Sequence, residues 1–316
     1  MFVVKTDGSV INVVIGEDEN DPVVFISDLL VHLSQTQLEK KGAKVVEGED
    51  LNIIIGNKPL MGEEKDAVKK NIIKLFEEKY GFSEDDFISA ELEVVPAGKA
   101  KNAGIDSSMI MAYGHDDRVC AYTSLVAMLS QGKTDTTSCL LLVDKEEIGS
   151  VGATGMKSKF FENTLAEILN LMGIYSELTL RRTLANSKML SSDVSAAYDP
   201  TYASVFEKKN SAYFSKGIVI NKYTGSRGKS SSNDANAEYV GLVRKIFEEN
   251  NISYQTAELG KVDQGGGGTI AYIMAVYGMN VIDSGVAVLN MHAPNEVVSK
   301  ADVYEAMKAY VAFIKS

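Results

Sequence analysis

From residue 98 onward, short apolar runs alternate with amphipathic stretches, and an acidic residue or a histidine recurs where the runs end. Residues 108–113, 139–143, 217–221 and 280–283 read as strands, whereas 118–129, 157–172, 233–250 and 270–277 read as helices. A last helix starts at Ser299, whose hydroxyl can cap it with Asp302 three residues on. It would bury Val303, Met307, Tyr310, Val311 and Ile314. Such alternation predicts an α/β fold: a mixed, largely parallel sheet with helices on both faces. In open sheets of this kind, ligands collect at the carboxyl ends of the strands.

The first 97 residues read differently. Strands at 2–5 and 10–15 flank Asp7-Gly8, a hairpin signal. Further strands fall at 23–25, 51–55 and 91–95. One helix over 26–40 carries His32, and another over 64–80 lines up Val68, Ile72, Leu75 and Phe76. Pro96-Ala97-Gly98 marks a boundary, which predicts a smaller β-rich domain (1–97) and a larger one (98–316).

A net charge of −11 argues against nucleic acid or an anionic membrane surface as the main partner, since both require a basic face. No secretory leader is visible, and the apolar runs are shorter than a membrane span. Cys120 and Cys139 read as buried free thiols in helix and strand, which fits a reducing cytoplasm. With only His32, His115 and His292, any metal site must lean on carboxylates.

Four segments place such groups after strands: Asp116-Asp117, Glu146-Glu147, Asp193 and His292. In an adjacent pair such as Glu146-Glu147, one carboxylate can ligate a metal while its neighbour serves as general base. Taken alone, such a pair is usually a solvated face. An isolated Asp is commonly a turn residue, and a lone His a satisfied core residue.

The wording of these segments is more specific than their chemistry. GHDDR (114–118), DKEEIGSVGATG (144–155), SSDVSAAYDP (191–200), VDQGGGGTI (262–270) and DSGVAVLNMHAPNE (283–296) resemble the aspartyl aminopeptidase/aminopeptidase I family of dinuclear metallopeptidases. ISDLLVHL (26–33) is similar to that family's inserted dimerisation domain. The resemblance implies two divalent ions (zinc, with cobalt or manganese as alternatives), peptide substrates and release of one acidic or neutral N-terminal residue. It implies a homo-oligomer built from dimers, up to a dodecamer. By position, Asp117 matches the carboxylate bridging both metals, Glu147 and His292 the ligands of one, and Asp193 a ligand of the other. Glu146 matches the general base, and the second metal would hold the substrate's amino group. His32 matches a histidine that polarises the scissile carbonyl across a subunit boundary, against a plain reading as a surface histidine. His115 and Asp116 read as neighbours of the site rather than ligands. Gly266 and Gly267, in the run 265–268, would let backbone approach the substrate, and Lys229 with Arg227 would line its cleft.

The family's remaining metal-ligating histidine lies upstream of the inserted domain, in text this sequence does not contain. The rival expectation is therefore a catalytically impaired chain with the Asp193 site empty, holding one metal or none. GSRGKS (225–230) invites a nucleotide-binding reading, but the phosphate-loop pattern needs glycine where this chain has Tyr223.

Overall fold

Apolar β-branched runs flank Asp7-Gly8, and the chain folds there into antiparallel strands β1 (Phe2–Val4) and β2 (Val10–Asn12). The computed structural model describes residues 1–267 and 270–316, which divide into the units Met1–Lys99 and Ala100–Ser316. In the first unit, β3 (Phe25–Ile26) pairs with β4 (Ile53–Ile54), and β5 (Ala90–Glu91) joins the free side of β1. Helix α2 (Ala67–Tyr80) contributes Phe76, whose ring lies 5.1 Å from Phe82 and 5.5 Å from Phe87. These rings and the buried Val3 and Val13 form a small core.

The helix expected over 26–40 is not continuous. It is a 3-10 turn, Val31–Leu33, followed by the four-residue α1 (Gln35–Leu38). Leu30, Val31 and Leu33 remain 57%, 62% and 72% exposed, so a longer helix would find little to bury its apolar side against. The strand expected over 91–95 ends at Glu91.

The second unit holds a five-stranded sheet and a four-stranded one. The first contains β6 (Lys101–Ala103), β7 (Met109–Ala112), β9 (Ser195–Ala196), β13 (Ala287–Leu289) and β14 (Glu296–Ser299), in the order β6-β7-β14-β13-β9. The second contains β8 (Lys188–Ser191), β10 (Ile218–Asn221), β11 (Tyr254–Thr256) and β12 (Asn280–Gly285), in the order β11-β10-β12-β8. Pairs β10–β11, β12–β8 and β13–β9 are parallel and the others antiparallel. The protein is thus a mixed α/β fold.

Helices α3 (His115–Leu129), α6 (Ala237–Glu249) and α8 (Lys300–Ile314) share one core with β10 and β12, built on Cys120, Ile220, Val243, Phe247, Ile282 and Tyr310. Helices α4 (Phe160–Leu171), α5 (Glu177–Asn186) and α7 (Ala271–Ala275) form a second with Val281, through Leu165, Leu169, Leu184 and Met274. Burial of Ile218, Val219, Ile220, Val281 and Ile282 explains why these strands read as unbroken apolar text. Ser299 stands at the start of α8 without a side-chain cap; Asp302 instead accepts from the N–H groups of Ser215 (2.8 Å) and Gly217 (2.7 Å).

Residues 139–143 do not form the expected strand. The nearest pairing among the described residues is the isolated bridge of Asp144, just beyond the stretch, with Gly155, and Leu142 and Val143 stay exposed. An apolar run becomes a strand only where a neighbour supplies the ladder. Cys120 is buried, whereas Cys139 is exposed rather than buried; both are free. Among the described residues, no helix is long and apolar enough to cross a membrane.

Candidate metal centre

Three of the four segments sit where a strand hands over to irregular backbone, whereas Glu146-Glu147 follows the strandless stretch 139–143. Asp116 and Asp117 follow β7 and occupy the first turn of α3, which is not helical there (φ −86°, ψ 104° and φ −118°, ψ 35°). The peptide bond joining them is cis. Glu146 and Glu147 form a 3-10 turn, Glu146–Ile148. Asp193 lies between β8 and β9, and His292 lies in the turn between β13 and β14 with φ +64°.

The position of Asp193 depends on Gly285. A Cβ there would lie 1.8 Å from the Asp193 carbonyl oxygen and 3.2 Å from Cys120 Sγ, so only glycine lets the end of β12 pass this close.

These segments converge into two donor groups, Asp116–Glu147–His292 and Asp116–Asp117–Asp193, each with its donor atoms within 4.8 Å of one another. His292 Nε2 stands 2.9 Å from Asp116 Oδ2 and 3.2 Å from Glu147 Oε1. The first group opens to solvent, with His292 and Glu147 61% and 62% exposed, while Asp116 is only 10% exposed. The carboxylate common to both groups belongs to Asp116. The family resemblance assigns the bridging position to Asp117, one residue on; in the structure Asp117 joins only the second group.

Burial pushes the Asp116 carboxyl up to about 6, with the charge of Glu147 adding to it. Burial likewise pushes Asp117 up to about 8, against a hydrogen bond with Cys120 that lowers it. Asp193 is held well above the usual carboxylate range by burial first, then by Asp117, Asp116, Asp283 and Glu146, all acidic. Glu146 is raised by burial and then by Glu147 and Asp116. Asp117 Oδ1 is buried without a hydrogen-bond partner. Crowded carboxylates of this kind, with one imidazole and an unused buried oxygen, fit divalent cations.

A pH dependence follows for the metal-free protein. Asp116 and Asp117 bind protons more tightly folded than unfolded, so their stabilising contribution is full below 3.8 and is lost as pH rises through about 6 and about 8. The urea midpoint of metal-free protein should therefore fall between pH 5 and 8.5, and fall less in Asp117→Asn. A midpoint that rises, or a slope unchanged in Asp117→Asn, contradicts this account. Zinc should flatten the dependence by replacing those protons.

A cavity of about 230 Å³ opens beside Asp193, lined by Asn221, Tyr223, Glu258, Gly266 and Gly267 among others. Gly266 has φ +85°, and a Cβ on it would meet the Gly225 carbonyl oxygen at 2.1 Å. Its close approach is thus to the neighbouring loop. Gly268 of the same run lies outside the described residues. Lys229 is exposed on a turn and is not among the lining residues. His32 belongs to the first unit, exposed on its 3-10 turn. His115 is partly buried, and burial lowers its pKa. Sequence reasoning missed Glu258, whose carboxyl burial pushes up to about 7, and Glu296, which is 2% exposed within bonding distance of two site residues. A glutamate opening an otherwise apolar strand, four residues after His292, was the available signal for the latter.

A family model described as aminopeptidase I zinc metalloprotease (M18) matches residues 1–314. A probable M18 family aminopeptidase 1 of Clostridium acetobutylicum is 64% identical over 315 residues, covering 99% of this chain and 68% of the relative. The crystal structure of aminopeptidase I from the same organism superposes with a TM-score of 0.92 at 63% identity, over 100% of this chain and 68% of that one. The M18 aminopeptidase from Thermotoga maritima superposes with a TM-score of 0.93 at 46% identity, over 99% and 69%. The rival expectation of an impaired chain finds no support in these comparisons.

Proposed function

The chain belongs to the aminopeptidase I zinc metalloproteases, the M18 family of hydrolases, and from that premise we propose how its residues divide the removal of a peptide's N-terminal residue. The observation that carries the reading is the sharing of the Asp116 carboxylate by two donor groups. Two zinc ions would be held, one by Asp116, Glu147 and His292 and the other by Asp116, Asp117 and Asp193. When bound, they supply Lewis acidity toward the scissile carbonyl and the attacking water. The bridging role, expected of Asp117, passes to Asp116 in this reading.

Glu146 is the proton carrier. Its carboxylate takes one proton as water adds to the carbonyl carbon, then gives it to the amine nitrogen as the C–N bond breaks. Burial raises its proton affinity above that of an ordinary glutamate, toward the range where it can both accept and return the proton. The cavity beside Asp193 receives the side chain of the N-terminal residue, with Gly266 and Gly267 in its wall. Its lining includes the carboxyls of Asp193, Glu258 and Asp283 and, among the described residues, no lysine or arginine, so a neutral side chain suits it better than an acidic one. Lys229, on its exposed turn, takes no part in this selection.

We further propose a homo-oligomer built from dimers through the first unit, where Val23, Phe25, Leu30, Val31 and Leu33 are 57–72% exposed in one stretch. His32 falls near its end, between Val31 and Leu33, as a histidine acting across a subunit boundary could. The free thiols of Cys120 and Cys139 suit the cytoplasm.

One preparation tests these parts together. Zinc-loaded protein should sediment as an oligomer and release leucine from a chromogenic amide about tenfold or more faster than aspartate. Chelation should abolish the rate and zinc restore it. No release with any divalent metal would sink the assignment of roles. Faster release of aspartate would sink the neutral preference, and a monomeric profile the assembly.

A further inference from the structure

Glu296 opens β14 and is 2% exposed. Its Oε2 accepts a hydrogen bond from the backbone N–H of Asp116 at 2.9 Å, and its Oε1 accepts one from the backbone N–H of His292 at 2.7 Å. The two partners lie on different loops, one leaving β7 and the other leaving β13. Strand β14 runs between β7 and β13, paired antiparallel with each, and Glu296 is in register with Ala112 at the end of β7. A single buried carboxylate on the central strand therefore grips both loops.

Neither amide has an obvious alternative partner. The N–H of Asp116 belongs to the open first turn of α3, where helix geometry leaves donors without carbonyls. His292 sits at φ +64°, a conformation that a residue other than glycine keeps only when its surroundings hold it. Charge-assisted bonds donated by two N–H groups to one carboxylate supply that hold, and the strand's pairing keeps the carboxylate itself in place.

We propose that Glu296 is the positioning residue of the metal centre. By holding the backbones of Asp116 and His292 at once, it sets the distance between the shared carboxylate and the imidazole. This role rests on the reading above of Asp116 and His292 as ligands. Glu296 acts through them and touches neither substrate nor metal.

The test is zinc competition against a chromogenic chelator, using metal-free full chain and its Glu296→Gln variant. Glutamine keeps one acceptor and turns an N–H donor toward a backbone N–H, so one of the two grips is lost. The zinc dissociation constant should rise about 10–100-fold while the far-ultraviolet spectrum and the urea midpoint of the metal-free protein stay near those of the parent. A purely structural role would lower the midpoint and leave the zinc affinity of the folded fraction unchanged. Amide exchange in the parent supplies a readout that does not depend on the variant folding: the N–H groups of Asp116 and His292 should both be protected. A folded variant that binds zinc as tightly as the parent, or free exchange at either amide, would overturn the role of Glu296 alone. A parent that takes up no zinc would overturn the centre, and this role with it.

Discussion

Glu146→Gln should lower the rate of peptide-bond hydrolysis by about three orders of magnitude, with zinc content and substrate KM near those of the parent. Glutamine has the size and shape of glutamate but cannot take a proton from water or return it to the leaving amine. Glu146 belongs to neither donor group, so removing its charge leaves the metal donors intact. It acts on them electrostatically, through Glu147, Asp116 and His292 and through the charge it presents to Asp117 and Asp193. The loss should therefore appear in kcat. A variant that keeps more than a tenth of the parent's kcat at full zinc occupancy would remove Glu146 from proton transfer.

Asp116→Asn should have the larger effect on metal. Its carboxylate is the one donor common to both groups, so one substitution strips a ligand and a negative charge from each. Zinc retained after gel filtration should fall from two equivalents towards none. The backbone N–H that donates to Glu296 remains, which keeps the loop in place and makes the loss one of ligation. Asp117→Asn is the comparison that decides between neighbours. Asp117 takes part in the second group only, and its carboxyl, pushed up to about 8, is largely protonated at neutral pH without metal. It should cost one equivalent. If Asp117→Asn instead empties both sites while Asp116→Asn empties one, the bridge belongs to Asp117.

That pair shows where sequence reasoning stops. The text around GHDDR shows acids following the apolar run of β7, and the family resemblance, not that pattern, assigns a bridge to Asp117. Both adjacent aspartates turn inward, and which of them offers its carboxylate to both donor groups depends on local backbone angles, for which the non-helical first turn of α3 has no signature in residue type. The helices were readable for the opposite reason. In α6 and α8 an apolar face repeats along the helix and finds a sheet to cover. Residues 139–143 and 26–40 misled because pattern reports what a segment can bury, whereas ladder and packing partners are supplied by the rest of the molecule. The parallel pairs β10–β11 and β12–β8 were implied by alternation with helices, while the antiparallel β13–β14 comes from a short turn that carries His292. Glu296 stayed hidden because its partners are backbone amides, one of them 180 residues away.

That separation governs when the protein can become a peptidase during its own synthesis. Asp116, Glu147 and Asp193 emerge from the ribosome well before His292 and the strand that anchors it. Until β14 is inserted between β7 and β13, the imidazole and the shared aspartate have nothing to hold them together. Bringing them together requires closing a separation of 180 residues, between Asp116 and Glu296. Late assembly would keep hydrolytic power away from the half-folded chains, its own included, among which it is made.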